Sequence, residues 1–169
     1  MDWEQVVSTH GPMVWGTAYR MLGRYQDASD CYQETFMQAL RVANREPVRD
    51  WGSLLRRLAT VCALAALRRR YRRGGVQELS EDMEVADGGP GPVQSAADGE
   101  FLARVRGVLA NLPAKEARVF WLRLLEECSY EEVAQAMGIS VNAVGVLIHR
   151  LRKRLRERLG AFDLSREAR

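Results

Sequence analysis

Histidine and cysteine are too scarce in this chain to build the commoner catalytic or metal centres. The only histidines are His10 and His149, and the only cysteines are Cys31, Cys62 and Cys128. No CxxC pair and no histidine, cysteine or carboxylate grouping at metal-ligand spacing occurs, so no metal site is expected. The wide separation of the cysteines argues against a disulfide framework and suits a reducing cytoplasm. No sequence feature pairs a cysteine with a histidine for nucleophilic catalysis. Cys62, inside an apolar segment, is the best candidate for a buried thiol. The glycines of residues 88–92 have no lysine after them and no following helix, so they form no phosphate loop. Long apolar runs are missing too. The longest stretch free of charge and of strong breakers, residues 58–67, falls short of the ~20 residues a membrane helix needs. Asp2 and Glu4 stand where a cationic leader would begin. These absences predict no catalytic residue, no cofactor, no small-molecule substrate and no membrane insertion.

What the chain does have is segregated charge. The formal net charge of +3 conceals a net +5 over residues 1–73, −6 over 74–99 and +4 over 100–169. Two basic bodies flank an acidic spacer, and basic bodies favour a polyanionic partner. The spacer, residues 74–99, is rich in glycine and acids and poor in large apolar residues, which predicts a flexible linker. Hydrophobic residues make up 47% of the chain, enough for packed cores on either side.

Periodicity is helical almost throughout, with no convincing strand alternation. A first helix is expected over 3–22, with a break or kink at Gly11-Pro12. Asp27 is expected to cap a second helix over 28–43, and a third runs over 51–72 and ends in Arg68, Arg69, Arg70, Arg72 and Arg73. Met13, Met21 and Met37 are expected to fill gaps in the core. Beyond the linker, Pro113 fits the first position of a helix over 113–125. Ser129-Tyr130-Glu131-Glu132 is a capping box opening a short helix that ends near Gly138. Ser140 can cap a last helix over 141–159.

Short helix, glycine turn and long helix make a helix-turn-helix, the arrangement that lays a second helix in the major groove. In that last helix Val144, Leu147, Ile148, Leu151 and Leu155 form the buried stripe. Asn142, Ala143, Val146, His149, Arg150 and Lys153 face elsewhere. The cations from Arg150 onward suit phosphates, or equally a solvated helix end. Gly145 is unusual, since glycine within a helix costs about 1 kcal/mol relative to alanine.

The blocks Leu112-Pro113, Val119-Phe120, Leu122-Arg123, Ser129 through Ala134, Met137 through Val141 and His149-Arg150 resemble region four of extracytoplasmic-function sigma factors. Tyr19 through Gly23, Asp27 through Asp30 and Gln33 through Phe36 are similar to region two of the same family. The resemblance implies an all-α fold of two small helical domains, residues 1–73 and 100–162, joined by the acidic linker and followed by a tail, 163–169. It implies core RNA polymerase and promoter DNA as partners, with an anti-sigma factor as a further partner class. By resemblance, Asp27, Asp30, Gln33, Glu34 and Phe36 dock on polymerase. Arg57, Arg68, Arg69, Arg70, Arg72 and Arg73 hold the minus-ten element, and Arg123, Asn142, Ala143, Val146, His149, Arg150 and Lys153 the minus-thirty-five element. Trp51 and Tyr71 are candidates for stacking on bases, Trp51 equally for core packing.

Departures from the family pattern fall at Thr60-Val61, at Ala65 and at Gly145-Val146-Leu147. The last removes two cations and predicts a shallower salt dependence, by about one unit of slope per lost contact. Two rivals stand beside the sigma reading. One is a helix-turn-helix regulator that binds duplex without polymerase. The other is a sigma-like interaction protein whose DNA reading is weakened, as those apolar positions suggest.

Overall fold

The computed structural model describes residues 2–73 and 96–159, all of its regular structure being helical. Described residues divide into two compact units, one ending at Asn111 and the other beginning at Leu112. Residues 74–95, most of the expected linker, and the tail at 163–169 lie outside the described residues.

The first unit is built on α1 (Trp3–Leu22), α2 (Tyr25–Ala43) and α3 (Trp51–Arg72), each packed on the other two. Val6, Val14, Ala39, Leu55 and Ala59 form part of its core, with Trp3 set edge-on to Trp51 at 5.1 Å between centroids. Trp51 is thus engaged in packing. Asp2 and Asp50 cap α1 and α3 through their carboxylates, each accepting from the amide three residues on.

Two local expectations are corrected. Helix α1 runs unbroken through Gly11-Pro12, because packed residues on both sides, Val6, Val14 and Ala18, hold it where the proline forgoes a backbone bond. Gly11 is itself buried, and a Cβ there would lie 2.8 Å from the Tyr32 hydroxyl. Helix α2 begins at Tyr25 rather than after Asp27, with Arg24 as its cap and no side-chain capping bond.

A fourth helix, α4 (Ala96–Asn111), packs on α3 and α1 of this unit, burying Leu102, Val105 and Leu109. Most of these residues fall within the stretch 100–162 that the sequence marks as the second domain. Their docking follows from the end of α1. Gly23 closes that helix in a left-handed conformation, φ 71°, with its N–H bonded to the Tyr19 carbonyl. The carbonyls left over take arginines. Arg106 donates to Met21 O at 3.1 Å and Arg20 O at 2.9 Å, and Arg70 donates to Leu22 O at 2.9 Å. Both cations also complement the negative end of the helix. Burial first, and then the like charge of Arg70, lowers the Arg106 pKa.

The thiols are distributed differently from expectation. Cys31 and Cys128 are buried, whereas Cys62 is half-buried, because its place on α3 lies at the rim of the packed face. Burial, then the neighbouring Cys62, pushes the Cys31 thiol up to about 12.

The second unit comprises α5 (Ala114–Phe120), a π-helical turn (Trp121–Leu125), α6 (Tyr130–Met137) and α7 (Val141–Leu159). Its core joins Val119, Leu122, Cys128, Val133, Ala134, Ala136, Val144 and Ile148. Pro113 precedes α5 as its cap, one position earlier than expected, and the expected helix over 113–125 widens to π geometry in its final turn. Trp121, fully buried there, donates to Glu126 Oε1 at 3.1 Å.

Replacing Arg106 by methionine leaves buried carbonyls unpaired and is expected to destabilise the chain by about 2 kcal/mol in chemical denaturation. Gly23→Ala is expected to cost about 1–2 kcal/mol for its left-handed backbone alone, with a further loss because the new Cβ falls 2.5 Å from Arg106 Cζ. Unchanged midpoints in both variants would contradict the clamp. At pH 8 iodoacetamide is expected to label Cys62 ahead of Cys31 in the native chain, with equal rates as the contrary result.

Candidate nucleic-acid interface

Helix α3 divides into two sides. Leu55, Ala59, Ala63 and Leu67 are buried, and Arg57, Val61, Ala65, Arg68 and Arg72, at steps of four, four, three and four, run along the opposite side. Arg57, Arg69, Arg72 and Arg73 are exposed; Arg68 and Arg70 are half-buried. Burial, and next the charge of Arg72, lowers the Arg68 pKa. The cationic stripe is interrupted at its centre by Val61, 38% exposed, and Ala65. Thr60 is fully buried, its hydroxyl donating to Arg56 O at 2.8 Å, so of the Thr60-Val61 pair only Val61 reaches the surface.

Arg70 and Asp27, expected on different surfaces, lie together at 3.1 Å. Asp27 is turned toward α3 and fixes Arg70 against the end of α1. Asp30, Gln33 and Glu34 are exposed on the outward side of α2. Glu34 accepts from Gln38 at 2.9 Å and lies 3.6 Å from Arg41. Phe36 is half-buried, its ring tilted at 56° to that of Tyr32 with centroids 4.9 Å apart, and packed against the core, so it supports this face from beneath. Met37, expected in the core, is instead 50% exposed. It continues the outward stripe at Asp30, Gln33 and Met37, a spacing of three and four that composition alone obscured. Leu40 is exposed beside it.

In the second unit the helix-turn-helix forms as its sequence requires. Ser129 Oγ accepts from the Glu132 amide at 3.1 Å, and the Ser129 amide donates to Glu132 Oε2 at 2.7 Å. Gly138, φ 65°, ends α6, with its own N–H bonded to Gln135 O and that of Ile139 to Ala134 O. Ser140 Oγ then accepts from the Ala143 amide at 3.2 Å and opens α7. The chain turns by 102° between the two helices, within the range of such motifs. Val144, Ile148 and Leu151 of α7 are buried. Asn142, Val146, His149, Arg150 and Lys153 are exposed, and Ala143 is half-buried. Arg154 lies 3.4 Å from buried Glu116 of α5 and ties the later part of α7 to the core. Arg123 is also committed within the unit: it lies over the Tyr130 ring at 5.6 Å and donates to Cys128 O at 3.4 Å.

Each unit thus presents one helix with an apolar side packed inward and a cation-bearing side outward. The family models for sigma-70 region 2 and sigma-70 region 4 match residues 6–73 and 102–155 respectively. The chain belongs to the sigma-70 family. The region 4 match begins within α4, the helix that packs on the first unit. The extracytoplasmic-function (ECF) RNA polymerase sigma factor SigE of Mycolicibacterium smegmatis is 32% identical over 159 residues, covering 94% of this chain, which spans 62% of that relative's length. The ECF sigma factor SigW of Bacillus subtilis is 25% identical, over 91% of this chain and 87% of its own. The structure of CnrH in complex with the cytosolic domain of CnrY superposes with a TM-score of 0.58 at 28% identity, covering 94% of this chain and 88% of CnrH. The sigma factor RpoE of Bartonella quintana, solved with the anti-sigma factor NepR, shares the fold at a TM-score of 0.56 and 22% identity, covering 95% of this chain and 98% of its own.

Among the described residues no group of histidines, cysteines and carboxylates is placed to hold a metal ion, and no single helix is long and apolar enough to cross a membrane. A Cβ at Gly145 would meet nothing within 4 Å. Gly145→Ala is therefore expected to stabilise the second unit by up to about 1 kcal/mol through helix propensity; a lowered thermal midpoint would show that the glycine is structurally required.

Proposed function

We propose that the chain is a promoter-recognition subunit that joins core RNA polymerase to particular start sites. The observation that carries this reading is the pairing of two family regions in one chain, each presenting an outward cationic helix, α3 in one and α7 in the other. The outward side of α2, with Asp30, Gln33 and Glu34, suits a basic surface of the polymerase. Asp27 and Phe36 act beneath it, one by holding Arg70 and the other by packing. Along α3, Arg57, Arg68, Arg69, Arg72 and Arg73 attract the backbone of a melted strand, and Arg70 serves the α1 terminus. On α7, Asn142, Ala143 and Val146 lie toward base edges, while His149, Arg150 and Lys153 lie toward phosphates. Arg123 supports the motif through Tyr130.

No bond is made or broken in this scheme; the chain acts as an initiation factor in the cytoplasm, and the catalytic centre belongs to its partner. Linking two DNA-binding bodies in one chain turns the second contact into a local event, so each body can be weak by itself. The acidic residues of 74–99 are proposed to follow a basic channel of the polymerase as a strap that imitates nucleic acid. An antagonist protein covering α2 or α7, as anti-sigma NepR accompanies RpoE, would block the same contacts.

Adding the purified chain to core polymerase on a promoter library is expected to create defined transcript starts that core polymerase alone does not produce. Unchanged starts despite polymerase binding would favour a titrating interaction protein, and duplex binding without polymerase an independent regulator. Reversing the charge of Asp30 and Glu34 together is expected to weaken core binding at least tenfold with stability altered by no more than about 0.5 kcal/mol. Lys153→Ala is expected to reduce the slope of log affinity against log salt by about one unit.

A further inference from the structure

The outward stripe of α7 changes chemistry along its length. Asn142, Val146, His149 and Lys153 lie opposite the buried Val144, Ile148 and Leu151. The first cation on the helix is Arg150, beyond its second turn. In a helix-turn-helix the N-terminal residues of the second helix meet the base edges. On the outward stripe those residues offer one carboxamide, Asn142, and one apolar group, Val146, which is 44% exposed; Val141, 42% exposed, opens the helix outside that stripe. The commonest specific contact, arginine or lysine on guanine O6 and N7, has no donor in these two turns. A carboxamide matches adenine N6 and N7, and an isopropyl group has a single counterpart on a base edge, the thymine methyl.

Reach makes the same selection. Valine is short, so it touches a base only when the helix lies deep in the groove. Ala143 and Gly145 flank it with almost no side chain, and the space a Gly145 Cβ would enter is open. Exposed Arg150, Arg152 and Lys153 continue the same helix, and their charge points to nucleic acid rather than to an apolar protein segment as the occupant of this face.

We propose that the N-terminal half of α7 selects A·T pairs in the upstream duplex, Val146 by contact with a thymine methyl and Asn142 by pairing with an adenine, with Gly145 admitting the helix to the required depth. This rests on the promoter-reading role proposed above.

The test uses the full chain with core polymerase and a duplex library randomised across the upstream element, followed by single thymine-to-uracil replacements in the enriched sequence. Uracil removes only the 5-methyl group. At one thymine the replacement is expected to weaken binding about fourfold, the scale of one buried methyl. Val146→Ala is expected to bind the thymine and uracil duplexes equally, and Asn142→Ala to relax the choice of one adenine. Gly145→Leu, a better helix former, is expected to keep the fold, judged by its thermal midpoint, and lose the discrimination. An enriched sequence that tolerates uracil at every position, or a thymine preference unchanged in Val146→Ala, overturns the inference while leaving promoter reading intact. A library with no enriched sequence overturns promoter reading and the inference together.

Discussion

An α-helix can hide only one of its sides, and this limit organises the whole chain. In α3 the buried stripe of Leu55, Ala59, Ala63 and Leu67 forces Arg57, Val61, Ala65, Arg68 and Arg72 outward. In α7 the burial of Val144, Ile148 and Leu151 does the same for Asn142, Val146, His149 and Lys153. Neither cationic side is a local decoration. Each is the side left over once the core has formed, so packing fixes the register in which charge is displayed.

The cations then fall into two populations. Arg70 and Arg106 are committed to the carbonyl end of α1, Arg123 to Tyr130 and Cys128 O, and Arg154 to Glu116. These hold the bodies in shape. Arg57, Arg69, Arg72, Arg73, Arg150, Arg152 and Lys153 are exposed and are the ones proposed to meet the polyanion. Counting arginines overstates the binding surface, because a guanidinium that satisfies buried carbonyls cannot leave without stranding them. The α1 terminus also explains why a helix matched by the region 4 model packs on the first unit: Arg106 completes the carbonyl set that Arg70 leaves open.

Much of this was legible in the residues. The bounds of α3, the capping box at Ser129, the turn at Gly138 and the start of α7 all follow from short-range rules, since caps and glycine turns act over three or four residues. Misreadings arose where a distant partner decided. Pro12 lies in an intact helix because residues on either side of it are packed. Asp27 lies inside α2 and pairs with Arg70, forty-three positions away. Residue type places Met37 in the core and the surrounding apolar segment does the same for Cys62, whereas their exposure depends on which side of a helix meets the core. Thr60 shows the same thing in reverse, as a family departure at a buried position. The part of the interface read least well was its apolar content. Met37 is exposed where its residue type placed it in the core, whereas Val146 is exposed as its position on α7 predicts.

Placing a photocrosslinker at positions 61 and 146 of the full chain, bound to core polymerase on one promoter, measures the central claim directly. The account predicts that position 146 crosslinks to upstream duplex and position 61 to the melted strand nearer the transcript start, in the same complex. Crosslinks to protein alone from both positions would contradict it.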